Sequence, residues 1–154
     1  MINNKCSRYY DVAKNGSRLL VSLRVPVVEA VEKSAWDYNE VSKLVSTYMH
    51  GGIPDEDIDE VSKSIPALTT KGFLYFMPEF ICYSLDHPDS EVTDHLLTAL
   101  CPPFGGGGEW VDKYISEASQ NEKAVVYSYL SYIHCIDSDE FDGQYALRGL
   151  PLWR

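Results

Sequence analysis

The chain has 154 residues, 45% of them hydrophobic and 23% charged, which fits one globular domain with a single core and excludes a disordered chain. No apolar run reaches the roughly 18 residues that a membrane-spanning helix needs. The net charge of -10 opposes binding to nucleic acid or anionic membranes and favours cationic partners.

The charge is unevenly placed. Of 13 Lys/Arg and 23 Asp/Glu in total, residues 1–24 hold five and one, which leaves eight and 22 for residues 25–154. Residues 1–24 show no sustained period and read as a basic, loosely docked N-terminal arm, followed by an acidic helical domain over 25–154. "RLLVSLRV" is the single plausible strand. Arg18 and Arg24 bracket only "LLVSL", too short for the apolar region of a signal peptide, and this predicts a cytoplasmic protein.

Helical punctuation then takes over. Pro26 suits the first turn of a helix over "VPVVEAVEKSA". Asp37 is placed to cap "YNEVSKLVSTYM", where Val41, Leu44, Val45 and Tyr48 recur at helical spacing before "HGG" ends it. "PDEDIDEVSKSI" puts acidic residues in a first turn, where the helix dipole stabilises them, and its thin apolar side of Ile58, Val61 and Ile65 predicts a surface helix. The stretch "TTKGFLYFMPEFICYSL" is the most hydrophobic helix, with Phe73, Phe76, Met77, Phe80 and Ile81 at i, i+3, i+4, i+7 and i+8. Pro78 sits at its centre, so the helix has to bend or restart there.

Ser90 is placed to cap a helix carrying Val92, Leu96, Leu97 and Leu100 inward. "CPPFGGGG" ends it in a loop, and "EWVDKYI" follows as a short helix. Ser119 and Glu122 have capping-box spacing ahead of "KAVVYSYLSYIHCI", and "DSDEFDGQYALRGLPLWR" adds a last short helix. The expected fold is an all-α, single-domain bundle of about six to eight short helices around a Pro-bent central helix.

Chemistry is harder to find. "GGGG" lacks the Lys-Ser or Lys-Thr of a phosphate loop, and Glu109 stands where an anion would sit. "DEDID" and "DSDEFDG" fail as calcium loops, with Glu60 and Asp142 where glycine is required. Cys6, Cys82, Cys101 and Cys135 form no C-x-x-C pair and read as free thiols. A zinc site from Cys82, Cys101 and Cys135 with His134 or His95 would require distant helices to converge. No catalytic motif frames the four histidines, so no catalytic residue, metal or cofactor is assigned. Eleven tyrosines and three tryptophans supply side chains of the kind binding surfaces use.

Two segments carry a resemblance. "GFLYFMPEF" is similar to a Gly-Phe-x-Tyr-aromatic-aliphatic-Pro-x-aromatic segment, and "QNEKAVVYSYLSYI" to a Gln-led helix ending in Leu-x-Tyr, both of a family of small bacterial proteins with a domain of unknown function. Trp153 fits the same pattern, whereas the region before residue 25 and the four-glycine loop depart from it. The resemblance implies an all-helical single domain without a described reaction.

The leading expectation is a protein-binding module, specifically an immunity protein neutralising a cationic bacterial toxin, whose partner is a basic protein. Asp55, Glu56, Asp57, Asp59 and Glu60 form the expected docking edge. The rival is a small-molecule-binding or enzymatic helical domain with a pocket near Pro78 lined by Tyr75, Glu79 and Tyr83.

Overall fold

The computed structural model describes residues 4–154, and these form an all-α bundle. In chain order the helices are α1 Asn4–Leu23, α2 Tyr38–Tyr48, α3 Asp55–Ser62, α4 Thr70–Asp86, α5 Glu91–Leu100, α6 Glu109–Glu117, α7 Gln120–Ile136 and α8 Phe141–Trp153, with a 3-10 turn at Ile65–Ala67 between α3 and α4. Among the described residues there is no strand, only an isolated antiparallel bridge between Val31 and Leu68.

The periodicity of α4 translates directly into burial. Phe73, Phe76, Met77, Phe80 and Ile81 are all fully enclosed, and each contributes about 1.5–3 kcal/mol of hydrophobic stabilisation. Thr69 caps this helix, its hydroxyl accepting from the Gly72 N–H at 3.0 Å and donating to the Glu29 carbonyl at 2.7 Å. Gly72 allows the close approach of the two segments, since a Cβ there would lie 2.2 Å from the Ala30 carbonyl oxygen.

α4 continues through Pro78 without restarting. Proline has no N–H for the Leu74 carbonyl one turn earlier, and the neighbouring carbonyl, that of Tyr75, accepts from the Arg24 guanidinium at 3.1 Å. Arg24 also lies over the Tyr75 ring, 4.2 Å from its centroid, and pairs with Glu79. A long, planar cation from the end of α1 thus braces the turn that contains the proline.

Residues 4–23, read from sequence as a loosely docked arm with a strand at its end, are one helix packed against α7 and α4. Its buried face is Cys6, Ala13 and Ser17 with Tyr10 half-buried beside them. Those residues are small or polar, so the helical spacing of 6, 10, 13 and 17 carries no strong apolar signal. Small residues let the helices approach closely: a Cβ on Gly16 would lie 2.6 Å from Val125 Cγ2.

The helix expected over "VPVVEAVEKSA" is absent. This segment runs between α1 and α2, with Ala30 and Glu32 hydrogen-bonded to Thr69 and Ala67 on either side of the Val31–Leu68 bridge. Four valines in seven residues disfavour a short helix, and the extended form gives the backbone of Ala30 and Glu32 partners in the turn before α4.

α7 is shared by α1 and α8. Its N-terminus has the capping box in full, Glu122 N–H to Ser119 Oγ at 3.1 Å and Ser119 N–H to Glu122 Oε1 at 2.8 Å. Asp37 and Ser90 occupy N-cap positions but neither side chain makes a capping bond. Buried hydroxyls join three helices, with Ser84 Oγ 2.5 Å from Thr93 Oγ1 and 2.6 Å from Tyr129 Oη. At the C-terminus Trp153 is buried and its indole N–H donates to the Leu100 carbonyl at 2.7 Å.

Candidate functional site

α3 begins at Pro54, whose ring fixes the backbone just before the first turn, and Asp55, Glu56 and Asp57 follow at the positive end of the helix dipole. Ile58 and Val61 turn inward and are 2% and 1% exposed, which sends Asp55, Glu56, Asp59 and Glu60 outward into solvent. Asp57 behaves differently. It is half-buried and accepts from the Tyr48 hydroxyl at 2.7 Å, and that hydrogen bond pushes the Tyr48 phenol up. Four of the five acidic positions thus form an open edge and the fifth ties α3 to α2. Lys63, itself exposed, lies 3.4 Å from Glu60.

A second acidic grouping comes from three separate parts of the chain. Asp89 in the α4–α5 turn, Asp94 on α5 and Asp137 at the end of α7 all act on Asp142 at the start of α8. Burial raises the Asp142 carboxyl above the usual carboxylate range, and repulsion from those three aspartates raises it further.

The residues expected to line a pocket near Pro78 are only partly brought together. Pro78 and Tyr75 are buried, and the Tyr75 hydroxyl donates to the Met49 carbonyl. Glu79 and Tyr83 do line a groove of about 590 Å³ between α1, the 51–55 segment and α4. Glu79 is committed, however: one oxygen pairs with Arg24 and the other accepts from the Ile53 N–H at 2.7 Å. Tyr83 stacks on His87 with ring centroids 4.2 Å apart.

The rest of this groove comes from residues to which sequence reasoning gave no role. Lys14 and Arg18 project into it from α1, and Cys82 and Asp86 from α4. Lys14 donates to the Cys82 carbonyl at 3.2 Å and pairs with Asp86, which also accepts from the Tyr10 hydroxyl. Burial alone would raise Asp86, but the hydrogen bonds from Lys14 and Tyr10 outweigh it and hold the carboxyl below its ordinary range. The same bond to Asp86 pushes Tyr10 up to about 12. Burial pushes the Cys82 thiol up, against the opposing effect of Lys14 and Arg18, so at neutral pH it is a protonated thiol rather than a nucleophilic thiolate. The available sequence signal was the 6, 10, 13, 17 spacing of α1, which places Lys14 and Arg18 beside the buried stripe.

The cysteine expectation is corrected for two of the four residues. Cys6 and Cys135 form a disulfide between α1 and α7, with Cα atoms 5.7 Å apart, while Cys82 and Cys101 are free thiols. α1 packs along α7 and brings together two cysteines 129 positions apart, a pairing no local spacing could announce. With Cys135 bonded to Cys6, the set Cys82, Cys101 and Cys135 with His134 or His95 does not assemble. His134 instead bonds the Gly143 carbonyl at 3.0 Å, and His95 bonds Ser62 at 2.8 Å. Among the described residues no group of three or more His, Cys, Asp or Glu is arranged to hold a metal ion, and no helix is long and apolar enough to cross a membrane.

Compared with protein-family models, curated proteins and solved structures, the chain matches none of them.

Proposed function

We propose that the protein is an acidic helical module that docks a basic protein on its α3 edge, and specifically that it acts as an immunity protein neutralising a cationic bacterial toxin. The observation that carries this reading is the open row of Asp55, Glu56, Asp59 and Glu60, in which Lys63 pairs with Glu60. Two of the basic residues near the N-terminus, Lys14 and Arg24, are meanwhile spent on Asp86 and Glu79 inside the fold. They do not offset the outward field of α3. Such a field raises encounter rates with a cationic surface and makes them salt-dependent.

Co-purification from native cells at low ionic strength tests the partner class, and a preparation that retains no basic protein counts against it. With a partner in hand, Asp55→Asn, Asp59→Asn and Glu60→Gln together are expected to slow association and flatten its salt dependence. Folding is expected to change by less than about 0.5 kcal/mol per site. Asp57 is left intact because it holds Tyr48. An unaltered on-rate at low salt rules out α3 as the docking edge. A cytoplasmic location belongs to the same proposal, and thiol labelling of protein taken from native cells tests it: a persistent Cys6–Cys135 bond there argues for an oxidising compartment.

A further inference from the structure

A separate cavity of about 400 Å³ opens between the end of α3, the 3-10 turn, α5 and α6. Its volume falls in the range of small-molecule sites, roughly 300–1,000 Å³. Two of its walls are aromatic and held in place. The Trp110 indole is fixed by its N–H donating to the Ala99 carbonyl at 3.1 Å, and the Tyr114 ring is stacked on Phe73 with centroids 4.3 Å apart. Ile65, Pro66 and Ala99 add apolar surface.

His95 is set among them with Lys63 at the rim and with Thr98, whose hydroxyl donates to the Asp94 carbonyl at 2.9 Å, and the hydrogen bonding of His95 determines what it offers. Ser62 is fully buried and donates its only hydroxyl proton to the Asp59 carbonyl at 2.8 Å, because a carbonyl oxygen can only accept. The 2.8 Å contact between Ser62 Oγ and His95 Nδ1 therefore has Nδ1–H as its donor. In the neutral imidazole this leaves Nε2 with a lone pair. No protein group among the described residues bonds Nε2, and it is not among the sealed, unpartnered polar atoms, so the acceptor is open to an incoming molecule.

We propose that this cavity binds a small neutral aromatic molecule with one hydrogen-bond donor, of the phenol or indole class, its ring between Trp110 and the Ile65–Pro66 surface and its O–H or N–H donated to His95 Nε2. The neutral class follows from the surroundings. The acceptor His95 Nε2 calls for a donor, and the one charged lining residue, Lys63, lies at the rim with its ammonium 3.4 Å from Glu60. An ionised carboxylate is acceptor-only and has no proton to donate to the Nε2 lone pair. A purely apolar ligand would fill the space but leave the imidazole acceptor without a partner, at the cost of its hydration. This assignment is independent of the acidic-edge reading and survives its failure.

The test titrates the full chain with phenol, indole, toluene and benzoate, following Trp110 fluorescence and the His95 ring proton resonances by NMR. A Trp110→Phe variant separates the Trp110 signal from those of Trp36 and Trp153. Phenol and indole are expected to bind and shift the His95 resonances, with toluene about tenfold weaker and benzoate weaker still, the tenfold being the worth of one hydrogen bond. His95→Leu is expected to remove the preference of phenol over toluene while toluene affinity is retained. The ligand comparison on the unmodified protein decides the matter even if that variant fails to fold. Toluene or benzoate binding as tightly as phenol overturns the proposal, as does an absence of response to both phenol and indole at millimolar concentration. Binding of an aromatic peptide side chain in place of the free molecules overturns it too and assigns the cavity to a protein partner.

Discussion

Arg24 is the side chain on which the most structure converges, and replacing it with methionine gives the sharpest test of how α1 holds α4. Methionine keeps most of the apolar stem and removes the guanidinium. Three contacts are lost together: the pair with Glu79, the bond to the Tyr75 carbonyl and the stacking on the Tyr75 ring. The side chains of Arg24 and Glu79 are only 12% and 11% exposed, so the pair is nearly buried and solvent cannot replace the missing partner. Breaking a buried pair from one side costs about 3–5 kcal/mol. Because Glu79 keeps its bond from the Ile53 N–H, the lower end, about 3 kcal/mol, is expected. For a chain of this size that lowers the melting temperature by about 6–12 °C. Urea unfolding followed by circular dichroism measures it. Glu79→Gln alone is expected to cost less, since the amide still accepts from Ile53, and the double variant is expected to fall short of the sum by about 1–2 kcal/mol. An Arg24→Met protein within about 0.5 kcal/mol of the parent, or a strictly additive double variant, refutes the bracing role.

Two further outcomes follow from α1. Converting Cys6 and Cys135 to serine opens a loop spanning 129 residues, for which the chain-entropy model gives a loss of about 5 kcal/mol. The expected result is a lower denaturation midpoint with the helical spectrum retained, and a midpoint equal to that of the oxidised parent contradicts it. The second concerns pH. Asp86 has a lowered folded-state value, so its contribution is complete above the unfolded value of about 4 and is lost as pH falls through the lower folded one. In an acid titration the parent should lose stability relative to Asp86→Asn over that interval, and parallel curves would show that Lys14 and Tyr10 do not hold the carboxyl.

What could be read from sequence followed the size and spacing of the residues. Large apolar side chains at helical period, as in Phe73 to Ile81, and a reciprocal cap such as Ser119 with Glu122 are local signals, and each became the element it announced. α3 was legible as an edge because two inward aliphatics leave the acidic positions outward. α1 was missed because its packing face is built from Cys6, Ala13 and Ser17, which contribute little to a hydrophobic pattern. The Val27–Val31 region was misread because its outcome depends on partners at residues 67–69. Side chains whose roles come from distant partners, Arg24 with Glu79, Lys14 with Asp86 and His95 with Ser62, have no signature within any short window.

The packing of α1 on α7 also has a consequence for the order in which the molecule is made. α1 buries its face largely against a helix that begins only at Gln120 and so leaves the ribosome well after it. Until α7 emerges α1 has α4 alone of these partners, and Cys6 pairs with a residue 129 positions downstream. Contacts of such long sequence separation slow folding, so the bundle closes only after α7 has emerged. Chains halted before α7 lack the element that covers the Cys6, Ala13 and Ser17 stripe, and quality control would meet them as open structures with an unmatched thiol.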